Sequence, residues 1–215
     1  MPKVFLSAGH GGNDNGATAN GLREDELNLQ ILLSCKEVLE RHNVNVICSR
    51  LKDEADPVEE EVKEANASKC DVAVSFHNNA GGGDGFEVFY YETSNEGKKL
   101  ASLCEAQIKA LGQNSRGLKS GNHLYFIRKT TMPALITETF FLDNVKDKAF
   151  GDSGSKLEKI GEAYAKAILS YFDINYVSKA SESVPKDYEA IGKAFESCLN
   201  EIKTLNTYKN LMKLL

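Results

Sequence analysis

Short apolar runs alternate with segments whose apolar residues step by threes and fours, and this alternation constrains the fold more than any other feature. Lys3 to Ala8 is apolar and ends in Gly9-His10-Gly11-Gly12, a buried strand feeding a loop that continues to Gly21. From Asp25 to His42, Leu27, Ile31, Val38 and Leu39 recur at helical spacing, and Asn43 to Ser49 is a β-branched second strand. Pro57 opens a helix through Lys69, at an early position where its missing N–H does little harm. Asp71 to Phe76 reads as a third strand and, after the glycine-rich turn 81–85, Phe86 to Tyr91 as a fourth. A helix follows over Asn95 to Leu111. His123 to Arg128 reads as a fifth strand and Pro133 to Phe140 as a sixth. The last helix, Lys156 to Tyr171, has Ile160, Ala163, Tyr164, Ala167 and Ile168 as its apolar face. The expected fold is an α/β sheet, mostly parallel, with the hairpin-like fourth strand at an edge.

Beyond Tyr176 the pattern changes. Residues 178–185 read as a linker. Tyr188, Ile191, Phe195, Cys198, Ile202, Leu205, Tyr208, Met212 and Leu215 then form one apolar stripe, an amphipathic helix. It would dock on the main domain, pair two chains as a homodimer, or act as a spacer towards a further binding module. The expected division is 1–175 for the main domain and 176–215 for linker and helical segment.

A formal charge of −5 argues against nucleic acid as partner. No run of about 18 apolar residues occurs, so no membrane insertion is expected. The amino terminus shows no basic segment followed by an apolar stretch, so synthesis in the cytoplasm without a signal peptide is expected. The five cysteines, Cys35, Cys48, Cys70, Cys104 and Cys198, are scattered without a CxxC pair and read as buried reduced thiols.

In open α/β sheets, ligands gather at the carboxyl ends of strands. His10 follows the first strand, His77 the third, and Glu138 closes the sixth in Ile136-Thr137-Glu138-Thr139-Phe140; Glu24 stands just before a helix. Two imidazoles and two carboxylates can thus be brought together. Two His and one Glu are a ligand set of catalytic zinc, leaving a carboxylate for proton transfer. Blander readings exist for each residue: a structural histidine, a helix-dipole partner for Glu24, or an ion pair for Glu138.

The same residues carry a family resemblance. Ser7-Ala8-Gly9-His10-Gly11-Gly12, Gly21-Leu22-Arg23-Glu24 with Asn28-Leu29, Val74-Ser75-Phe76-His77-Asn78-Asn79-Ala80, Gly85-Phe86-Glu87-Val88-Phe89-Tyr90, and Pro133 through Asn144 stand in order along the chain. Over roughly residues 2 to 173 the chain resembles the zinc-dependent N-acetylmuramoyl-L-alanine amidases, which include autolysins, sporulation amidases and phage endolysins. Two departures stand out. Ser7-Ala8 occupies the place of the family's usual Asp-Pro, and the segment Glu59-Glu60-Glu61-Val62-Lys63 offers no Arg where the family often has one.

The resemblance implies a mixed six-stranded sheet flanked by helices, one Zn2+ held by His10, Glu24 and His77, and Glu138 as general base and then acid. It implies peptidoglycan as substrate, cut at the amide between the lactyl group and L-alanine, with the enzyme reaching the wall after release. The rivals are a zinc peptidase acting on the stem peptide and a non-catalytic wall-binding module. Arg116, Lys119, Arg128 and Lys129 flank the expected fifth strand and His123 begins it; Arg116, Arg128 and His123 are candidates for contact with stem-peptide carboxylates.

Overall fold

The computed structural model describes residues 1–179, 193, 196, 197 and 199–203. The chain divides into two units, Met1–Tyr176 and Val177–Leu215. In the first, β1 (Lys3–Ala8), a two-stranded ribbon of β2 (Thr18–Ala19) and β3 (Leu22–Arg23), and α1 (Glu24–Arg41) lead into β4 (Asn45–Cys48). Then come α2 (Val58–Ser68), β5 (Val72–Asn79), β6 (Phe86–Tyr90), α3 (Asn95–Ala110), β7 (Ser115–Ser120), α4 (Tyr125–Lys129), β8 (Ala134–Phe141) and α5 (Gly154–Tyr171).

Six strands form one sheet in the order β4-β1-β5-β8-β6-β7. β4, β1, β5 and β8 are parallel; β6 turns antiparallel to β8, and β7 runs parallel to β6. The fold is therefore a mixed, mostly parallel α/β sheet.

Alternation along β1 sends Val4, Leu6 and Ala8 to one face and Phe5 to the other. The first face carries the larger core: Ile31 and Leu32 of α1, Leu100 of α3, and Tyr164 and Ile168 of α5 pack on Val74 and Phe76. The second is thinner, with Val62 and Ala65 of α2 and Phe126 of α4 lying over Phe5 and Ala73. Gly161 permits the close approach of α5 to α1, since a Cβ there would sit 2.7 Å from the Ile31 carbonyl oxygen.

The expected fifth strand is not a strand. His123 lies in a turn and Tyr125–Lys129 is one helical turn, closed by the Leu124 N–H donating to the Gly121 oxygen and the Arg128 N–H to the Leu124 oxygen. An aromatic run this short cannot distinguish helix from strand by its period. The real strand there is β7, Ser-Arg-Gly-Leu-Lys-Ser, which is mostly polar. As an edge strand it packs on one neighbour only, and Gly117, at φ 88°, sits where the register with β6 shifts. The sheet's edges are β4 and β7, so the fourth expected strand, β6, is interior rather than at an edge. β5 also runs on through His77 to Asn79, past its expected end.

Among the described residues Cys35, Cys48, Cys70 and Cys104 are free thiols. No helix among them is long and apolar enough to cross a membrane. In the second unit, residues 193, 196, 197 and 199–203 are helical. The other apolar positions expected on that helix, and the linker from Ala180 to Pro185, lie outside the described residues.

Candidate metal centre

His10, Glu24 and His77 meet above the carboxyl ends of β1 and β5, each offering a ligand atom within 4.8 Å of the others. Glu24 Oε1 lies 3.3 Å from His10 Nε2 and 3.0 Å from His77 Nδ1, and the two rings stand edge to face with centroids 5.1 Å apart. The carboxylate is the hub, and the backbone is shaped around it. His10 adopts φ 68°, a conformation that non-glycine residues seldom take. A Cβ on Gly9 would fall 2.0 Å from His77 Cε1, and one on Gly16 would fall 2.6 Å from Glu24 Oε2. Both glycines leave the room that the cluster occupies.

Glu24 is the first residue of α1, where a carboxylate suits the positive helix end. Its Oε2 accepts from the Ala17 N–H at 2.8 Å, and its Oε1 from the Asn78 N–H at 3.2 Å. Burial opposes its charge, but hydrogen bonds with His10 and then His77 outweigh burial and hold the carboxyl well below its ordinary range. In turn, the Glu24 hydrogen bond is the largest cause raising His10 to about 9. The Glu24 carboxylate thus favours positive charge beside it. Two imidazoles and one carboxylate are also the donor set suited to zinc, so the residues fit the ion. Asp14 Oδ2 pairs with His10 Nδ1 at 2.8 Å, leaving Nε2 to face Glu24.

Glu138 stands beside this cluster on β8, in register with His77 across one strand pair and with Glu87 across the other. Its Oε2 is shut off from solvent with no hydrogen-bond partner among the described residues. Burial, then the charges of Glu24 and Glu87, push it up to about 8. An unsatisfied buried oxygen costs stability, so its retention at this point is a feature that function can explain. A cavity of about 620 Å³ opens next to the cluster, with His10, His77, Asp14, Glu61, Tyr125 and Ile136 among its walls.

The three expected substrate contacts are dispersed. Arg116 donates from Nε to Glu87 Oε1 at 2.6 Å and lies 5.2 Å from the centre of the Phe141 ring. His123 meets Phe89 edge-on at 6.4 Å. Arg128 lines a separate cavity of about 270 Å³ near Pro133 and Ala134, at the start of β8. None of the three is among the walls of the larger cavity.

Sequence reasoning missed the buried polar frame. Arg50, beyond β4, donates to the backbone oxygens of Ala8, Gly9 and Asp25 and so knits the end of β1 to α1. In the sequence, Asn28 and Asn78 stand only as letters of motifs. A signal existed for Asn28, since it follows Glu24 by four residues and therefore shares its helix face.

The α/β sheet, with a His-Glu-His cluster able to hold a metal ion at its strand ends and a shielded carboxylate alongside, has the layout of a metal-assisted hydrolase. The model of the N-acetylmuramoyl-L-alanine amidase family matches residues 4–170. The chain belongs to that family of hydrolytic enzymes. It is 35% identical over 179 residues to the amidase CwlM of Bacillus licheniformis, covering 81% of this chain and 70% of that protein. It is also 35% identical to the endolysin of Bacillus phage SPP1, covering 88% and 73%. Among solved structures, the catalytic domain of the CwlV amidase from Bacillus (Paenibacillus) polymyxa superposes with a TM-score of 0.76 at 30% identity, covering 81% of this chain and all of that one.

Proposed function

We propose that this chain hydrolyses the amide between the muramic acid lactyl group and L-alanine of peptidoglycan, using one zinc ion held by His10, Glu24 and His77. The observation that carries the reading is the pairing of that cluster with Glu138, one strand away and with a free carboxylate oxygen. Zinc bound there would acidify water and polarise the scissile carbonyl. The chain's own groups do the rest. Glu138 accepts a proton from the attacking water at its carboxylate and passes it to the departing alanine nitrogen. Burial and the charges of Glu24 and Glu87 raise its pKa towards neutrality, and the positive charge of a bound ion would favour the carboxylate that accepts the proton. The cavity beside His10 and His77 offers the neighbouring peptide a partly apolar wall at Tyr125 and Ile136.

Residues 1–175 would suffice for catalysis, with 176–215 as linker and helical segment. Pairing of two chains through that segment, and synthesis in the cytoplasm before release to the wall, belong to the same proposal; sedimentation of the full chain tests the pairing. Digestion of purified peptidoglycan, with mass spectrometry of the products, tests the chemistry. Peptides with a new amino-terminal L-alanine and muramic acid free of peptide are expected. New amino groups inside the stem peptide would instead make the chain a zinc peptidase, and no products at all would leave it a binding module.

A further inference from the structure

We propose that Asn28 is a positioning residue for the metal centre, tying together the three chain segments that bring its ligands. The inference rests on the reading that His10, Glu24 and His77 hold zinc. Asn28 is fully buried on α1, one turn beyond Glu24. Its Nδ2 donates to the Gly9 oxygen at 2.9 Å, in the residue that precedes His10. The same nitrogen lies 3.5 Å from Glu24 Oε1. Its Oδ1 accepts from Asn78 Nδ2 at 2.8 Å, in the residue that follows His77. One amide therefore touches Glu24 itself and the immediate neighbour of each histidine.

The geometry suits an amide and little else. An aspartate would lose the donor to Gly9 and set a second charge against Glu24. A leucine of similar size would leave Asn78 Nδ2 buried without its partner and the Gly9 oxygen with only the longer bond from Arg50, and such losses are costly wherever they occur. Groups that orient metal ligands from behind typically account for 10- to 100-fold in metal affinity.

A purely architectural role must be separated from a positioning one. Zinc raises the melting temperature by an amount set by its affinity for the folded chain. An asparagine that only held the fold together would, on replacement, lower the apo and zinc-loaded midpoints alike. A positioning asparagine would also shrink the gap between them. The experiment measures zinc Kd by chelator competition, and Tm with and without zinc, for the full chain and for Asn28→Leu. Expected is a Kd weakened about 10- to 100-fold and a smaller zinc-induced rise in Tm. An unchanged Kd with an undiminished rise overturns the inference while leaving the zinc reading intact. No zinc effect in the unsubstituted chain overturns both. If Asn28→Leu does not fold, Asn78→Ala decides: it removes the partner amide and is expected to weaken zinc in the same sense, and an unchanged Kd overturns the proposal.

Discussion

The surroundings of Glu24 and the scattered positions Arg116, His123 and Arg128 both carry residues suited to handling a peptide, yet they are built differently. Around Glu24, the strands are fixed by sheet register, and the loop and helix between them by buried polar bonds. Ser7 pairs with Ser75 and Ala8 with Phe76 across β1 and β5, and His77 pairs with Glu138 across β5 and β8. Arg50 and Asn28 then brace the loop and helix behind them. The three outer residues occupy an edge strand, a turn and a one-turn helix, where a side chain has neighbours on few sides. The difference teaches that the backbone leaves the side chains of the cluster few alternatives, whereas the outer three are less constrained. Substitutions should therefore matter steeply in the first region and weakly in the second.

The largest effect is expected from Glu138→Gln. It keeps the shape but removes proton transfer, so kcat should fall about 100-fold or more while zinc content stays unchanged. Normal turnover in that variant would strip Glu138 of its role and erase the contrast. Gly9→Ala comes next, because its methyl group would overlap the His77 ring. Weakened zinc binding and a lower Tm are expected, and a wild-type Tm would contradict the crowding.

Glu61 sharpens the contrast through pH. Burial first, and then the neighbouring charge of Asp56, raise its pKa above the ordinary 4.5. The folded chain thus binds this proton more tightly than the unfolded one. The associated stability is complete below about pH 4.5 and is lost as pH rises through the raised folded value. Glu61→Gln should flatten the fall in denaturation midpoint above pH 4.5; an equally steep fall would show that other groups govern it.

Smaller effects are expected outside the cluster. Arg116→Ala removes an ion pair that is partly exposed on the arginine side, and should change kcat/KM by about two- to five-fold. Arg128→Ala, at the start of β8, should leave kcat/KM within about two-fold. A loss from Arg128→Ala comparable to that from Glu138→Gln would overturn the division between the two regions.

Legibility follows the same line. Helices α1, α3 and α5 bury wide apolar faces, so their periodicity reveals them; β1 is mostly apolar, and β5 and β8 open on apolar residues that make them equally plain. β7 is mostly polar because only one neighbour pairs with it, and its Arg116 and Lys119 looked like flanks rather than a strand. The run at Tyr125, Phe126 and Ile127 is too short to reveal its period. Within the site, His10, Glu24, His77 and Glu138 could be named from strand ends and motif order. Asn28 carries only the signal of its place four residues after Glu24, and Asn78 and Arg50 carry none, because their partners are distant in sequence.

The central claim is that His10, Glu24 and His77 together hold a single catalytic ion. Metal analysis of the purified chain and of His10→Ala, Glu24→Ala and His77→Ala, after equilibration with limiting zinc, tests it most directly. About one zinc per unsubstituted chain is expected, with a sharp loss in every variant. Full zinc occupancy in any variant would contradict the assignment of that residue, and in all three would remove the metal centre altogether.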